Sequence, residues 1–113
     1  MNQEQIRHIL DTQRAYFSSG ATLPVEKRVQ ALLRLRTAIL DSEAEINAAL
    51  KADLGKSSFE SYMCEVGLTC SEISYMIRHT RRFAAERRVP TPLAQFHARS
   101  YVKPSPYGVE GFT

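Results

Sequence analysis

The side chains best able to do chemistry are two cysteines, Cys64 and Cys70, three histidines, His8, His79 and His97, and two sets of neighbouring carboxylates, Glu43 with Glu45 and Glu60 with Glu65. A thiolate can be a nucleophile or a metal ligand, an imidazole a base or a ligand, and paired carboxylates an acid and a base. The spacing favours none of these roles. Cys64 and Cys70 lie six positions apart in a helical pattern, where about 100° per residue turns them to different sides, so they cannot bridge each other. Without a CxxC or Cys/His arrangement, both are expected to be buried reduced thiols. The histidines fall on different elements with no thiol or carboxylate at ligand spacing, so no metal site is expected. The carboxylates stand where helix capping and solvation use them.

Two other constellations invite a polyanion. Asp53-Leu54-Gly55-Lys56 has the end of a phosphate-cradling loop, but that loop needs a glycine five positions before Gly55, and position 50 is Leu50. Gly55 is instead expected as the left-handed residue that closes a helix. His79 sits among Arg78, Arg81 and Arg82, and Arg87 and Arg88 extend the basic run. Cations near a helix C-terminus complement its dipole on a solvated face. No aromatic stacking platform accompanies them, so nucleic acid is not expected as a partner. A stand-alone helical binding module using this basic helix end is the alternative reading, and a salt-dependent shift with DNA or RNA would support it.

The elements that must position these residues are mainly helical. Ile6, Ile9, Leu10, Gln13, Tyr16 and Phe17 recur at three- and four-residue intervals, with Gly20 as the stop. Pro24 is placed to open a second helix carrying Val25, Val29, Leu32, Leu33, Ile39 and Leu40. Ser42 with Glu45 has capping-box spacing before a third helix, or a kinked continuation, through Ile46, Leu50 and Leu54. Ser57 with Glu60 repeats that spacing. The longest helix follows, through Phe59, Tyr62, Met63, Val66, Cys70, Ile73, Met76, Ile77 and Phe83. Gly67 in its middle costs about 1 kcal/mol relative to alanine, which predicts a neighbouring helix packed closely against it. Pro90 and Pro92 then force extended backbone. A strand is expected over Arg99 to Lys103, a turn at Pro104-Ser105-Pro106, and the opening of another strand at Tyr107-Gly108-Val109.

With 113 residues, 43% of them hydrophobic and 24% charged, the chain is one ordinary globular domain at most. A net charge of +3, from 15 basic and 12 acidic residues spread along the chain, gives little pull toward polyanions. No stretch approaches the roughly 18 uninterrupted apolar residues of a membrane span. Met1 to Leu10 lacks a secretory apolar core, so a cytoplasmic location is expected.

The order of segments then resembles a known family. Arg14 to Thr22 followed by Pro24 and Arg28 looks like the opening of class 3 type aldehyde dehydrogenases. Leu50-Lys51-Ala52-Asp53-Leu54-Gly55-Lys56 is similar to their AL-x-x-DL-G-K segment, and Glu60 to Ile73 to the helix after it. Arg88-Val89-Pro90-Thr91-Pro92-Leu93 resembles their loop, and Pro104-Ser105-Pro106-Tyr107-Gly108-Val109 their P-x-P-x-GV, which leads into the first cofactor-domain strand. No single motif decides the matter; the order and spacing together carry it. At Glu110 the resemblance breaks, because Glu110-Gly111-Phe112-Thr113 replaces an expected apolar strand. A frameshift, a premature stop or an engineered boundary would each produce such a tail.

The resemblance implies a parent enzyme that oxidises an aldehyde to a carboxylic acid with NAD or NADP, through a cysteine thiohemiacetal and hydride transfer. It also implies that the oxyanion asparagine, the glycine-rich cofactor turn, the glutamate base and the nucleophilic cysteine have no counterpart here. Neither Cys64 nor Cys70 matches the nucleophile. The expectation is therefore a mainly α fragment of the α/β aldehyde dehydrogenase fold: amphipathic helices packed as a small bundle over residues 1–88, then a loop, a strand and the start of the cofactor domain over 89–113. No catalytic, cofactor-binding or metal residue is expected in it. The fragment is expected to be inactive alone and to self-associate through uncovered apolar faces, with helix exchange between chains as one route.

Overall fold

The structure, a computed structural model, describes residues 1–110; Gly111 to Thr113, most of the tail in which the resemblance breaks, lie outside the described residues. Four α-helices of three turns or more carry most of the chain: α1 (Gln3–Ser18), α2 (Val25–Asp41), α3 (Glu43–Leu54) and, after the single turn α4 (Ser58–Ser61), α5 (Gly67–Ala84). Between α4 and α5 lies a π turn, Tyr62–Val66. Two short strands, β1 (Arg87–Val89) and β2 (Ser100–Val102), flank a 3-10 turn at Leu93–Gln95. The mainly helical fold with a short extended tail is the one expected from the sequence.

The chain divides into two compact units. The first comprises Met1–Val25 together with the chain from Arg81 onward. Here Asn2 caps α1: its side chain accepts from the Gln5 N–H, and the Gln5 side chain accepts from the Asn2 N–H, so each satisfies an otherwise orphan donor. Gly20, at φ +78°, ends the helix in the left-handed region that glycine enters without steric cost. In the same unit β1 and β2 pair antiparallel, with Arg87 opposite Val102, Arg88 opposite Tyr101 and Val89 opposite Ser100. The Thr91 hydroxyl donates to the Ser100 hydroxyl at 3.0 Å, and Lys103 reaches Glu86 at 3.6 Å. The strand expected at Tyr107 to Val109 does not form: those residues carry no assigned secondary structure.

The second unit is Glu26–Thr80. Its buried apolar side chains are Val29 from α2, Val66 from the π turn and Ile73 from α5, joined by the polar Ser61 and Thr80. Leu32, Leu33 and Ile39 of the expected α2 stripe are half-buried, and Leu40 is exposed. Arg36 of α2 donates to the Ser74 hydroxyl of α5 at 3.0 Å. Ser61 donates to Asn47 Oδ1 of α3 at 2.6 Å, which satisfies a hydroxyl that has lost all contact with water.

Three local expectations are corrected. Ser42 does not form a capping box with Glu45: its φ/ψ of −97°/12° leaves no side-chain bond to α3, and Ser42 N–H donates to Ala38 O while its own carbonyl accepts from Ile46. It is a kink between two nearly continuous helices. The long helix expected from Phe59 onward is interrupted by the π turn. At Gly67 the close approach comes from its own π turn: a Cβ there would collide with the Tyr62 carbonyl.

At Ser57 the expected box is present, the hydroxyl accepting from the Glu60 N–H and the Glu60 carboxylate from the Ser57 N–H, both at 3.2 Å. Ser57→Ala is expected to lower stability by about 1 kcal/mol, and Ser57→Asn to restore most of it, read from urea midpoints.

Candidate functional site

The chemistry-bearing residues are dispersed. His8 lies exposed on α1, where its carbonyl accepts from Thr12. His79 stacks on Tyr75 of the preceding turn, with ring centroids 4.1 Å apart and Nδ1 2.8 Å from the Tyr75 carbonyl. His97 lies against Phe96 with centroids 3.8 Å apart. The His79 and His97 imidazoles are each engaged by a neighbour on their own segment. Among the described residues, no three His, Cys, Asp or Glu side chains converge as a metal centre would require.

Cys64 is exposed and Cys70 half-buried, and both are free. The expectation of two buried thiols is corrected: Cys64 sits in the π turn, exposed two positions before the buried Val66. The basic run is also corrected. Arg81 and Arg82 occupy the last turn of α5, with Arg82 5.3 Å from the Phe83 ring centroid. Arg87 and Arg88 are not part of the helix; they lie on β1, opposite Val102 and Tyr101.

One cluster does gather polar side chains that the sequence separates. Gly55 closes α3 at φ +66°, its N–H donating to Lys51 O, and Lys56 follows this left-handed cap directly. Lys56 Nζ then donates to Glu65 Oε1 of the π turn at 2.5 Å. Cys64 and Glu60 are close enough to act on it electrostatically. The Glu65 hydrogen bond, helped by these neighbouring groups, raises the Lys56 pKa above the ordinary 10.5, against a smaller opposing effect of burial. A raised cation pKa stabilises the fold fully below pH 10.5, and that contribution disappears as pH rises through the elevated value. Solvent screening keeps it small. Sequence spacing alone could not find this pair, because nine positions and a reversal of direction separate its members. Glu43 and Glu45 remain in the first turn of α3, where the helix dipole favours carboxylates.

The Lys56–Glu65 pair ties the turn after α3 to the π turn. Comparison with known proteins places the whole chain. The model of the aldehyde dehydrogenase family matches residues 1–112, running past Glu110. The chain is 35% identical over 95 residues to 4,4'-diaponeurosporen-aldehyde dehydrogenase of Staphylococcus aureus, covering 84% of this chain and 21% of that protein. It is 37% identical over 106 residues to the dimeric NADP-preferring aldehyde dehydrogenase of Canis lupus familiaris, covering 93% and 23%. Aldehyde dehydrogenase family 3 member A2 of Mus musculus is 36% identical over 103 residues, covering 91% and 21%.

The solved substrate-bound state of Staphylococcus aureus AldH superposes with a TM-score of 0.84 at 32% identity, over 95% of this chain and 23% of that one. The chain thus spans between a fifth and a quarter of the length of the relatives it matches. On the family match, the identity to class 3 members and the shared fold, the chain belongs to the aldehyde dehydrogenase family.

Proposed function

We propose that this chain is the amino-terminal helical portion of an NAD- or NADP-dependent aldehyde dehydrogenase whose catalytic residues lie outside it. The observation that carries the reading is the family match over residues 1–112 in a chain that covers between a fifth and a quarter of its relatives. The parent reaction joins a cysteine thiolate to the aldehyde carbon as a thiohemiacetal, passes hydride to the nicotinamide, and releases the acyl group to water as a carboxylic acid. The NADP preference in the name of the canine relative supports a nicotinamide cofactor.

Residues 1–88 serve in this reading as a helical cover and 89–113 as the approach to the cofactor domain. The 113-residue chain alone supplies no catalytic, cofactor-binding or metal residue. Its location is cytoplasmic; no helix among the described residues is long and apolar enough to cross a membrane. Alone, it self-associates through uncovered apolar side chains, and neither nucleic acid nor membrane is its partner. Titration of the purified chain with NADH and NADPH, followed by nucleotide fluorescence, is expected to show no saturable binding. Saturation at micromolar concentration with either nucleotide would contradict the reading.

A further inference from the structure

Val66, Ile73 and Thr80 are buried at seven-residue intervals along one face of the helix, the spacing at which an α-helix nearly repeats its direction. Continued backward as an α-helix, that face would take Phe59, seven positions before Val66, and Tyr62 and Met63, four and three positions before it. All three are apolar, and all three are exposed, at 73%, 52% and 59%. Ser61 is buried in their place, at 0%, against Asn47. The π turn produces the exchange: Gly67 N–H donates to the Tyr62 carbonyl, five residues back, so one extra residue is wound into the turn and everything before it is rotated. Gly67 is the position that permits this, since a Cβ there would meet the Tyr62 carbonyl.

The hydrophobic pattern thus favours one register and the backbone shows another, a local conflict of the kind expected at functional or strained sites. We propose that residues 58–67 are a two-register element. In the π register Ser61 is held on Asn47, and Phe59, Tyr62 and Met63 are exposed. In the all-α register Gly67 N–H donates to the Met63 carbonyl, the three apolar side chains turn onto the Val66 face, and Ser61 leaves Asn47.

The test is solution NMR on the isotope-labelled 113-residue chain. In the unmodified chain the scalar coupling across the hydrogen bond from the Gly67 nitrogen is expected to reach the Tyr62 carbonyl, with exchange broadening confined to residues 58–67. In Gly67→Ala the coupling is expected to move to Met63, the Ser61–Asn47 side-chain contact to vanish, and Phe59 ring contacts with Val66 to appear. Gly67→Ala that keeps the Tyr62 coupling and the Ser61–Asn47 contact overturns the proposal. Should that variant not fold, Asn47→Ala, which removes the partner of Ser61 without adding atoms, is expected to make the same swap. Retention of the Tyr62 coupling in Asn47→Ala overturns it equally.

Discussion

Val66→Asp is expected to abolish the folded state of the Glu26–Thr80 unit. Val66 is 3% exposed and shares the interior with only two other buried apolar side chains, Val29 and Ile73. Among the described residues, no lysine or arginine is buried beside it to pair a carboxylate. An uncompensated charge left in such a place costs about 3–5 kcal/mol, against total stabilities that start near 5 kcal/mol for small domains. A unit with so few buried apolar groups stands at the low end of that range. Circular dichroism is expected to show the loss of cooperative thermal unfolding in Val66→Asp. Leu68→Asp, two residues on at an exposed position, is expected to stay within about 0.5 kcal/mol of the unmodified chain. Equal effects at the two positions would contradict the core described here.

The second large effect concerns mass. Ile6, Ile9 and Tyr16 on α1 are exposed, as are Leu54, Phe59, Tyr62, Met63 and Leu68 around the α3–α5 junction. Large exposed apolar side chains that gather into a patch mark surfaces that bind. Light scattering on the purified chain is expected to give a mass above that of one chain at tens of micromolar, falling on dilution as mass action requires. Leu54→Lys combined with Phe59→Lys is expected to lower the associated fraction several-fold with helix content unchanged. A single-chain mass across that whole range would remove self-association from the account.

Much of the fold can be read from the residues. The helical period around Val29 and Ile73, the glycines at 20 and 55, the Ser57–Glu60 box and the two prolines at 90 and 92 each act through local stereochemistry, and each appears in the structure as the element it implies. Asn2 followed by Gln5 was an equally readable box. What periodicity could not reveal is the π turn, because an inserted residue leaves the local composition helical while rotating everything before it. Phe59 and Met63 therefore lie exposed rather than on the Val66 face. The strand at Arg87–Val89 was hidden for another reason: its partner lies beyond a loop, and pairing rather than propensity creates it. The same limit applies to Lys56 and Glu65, whose meeting depends on the left-handed cap at Gly55.

In the proposed reading the chain carries the family's helical cover and not its chemistry. Purified 113-residue chain, supplied with an aldehyde and with NAD or NADP, is predicted to produce no reduced nucleotide above the uncatalysed rate. Steady aldehyde-dependent formation of NADH or NADPH, proportional to the amount of chain added, would contradict that account.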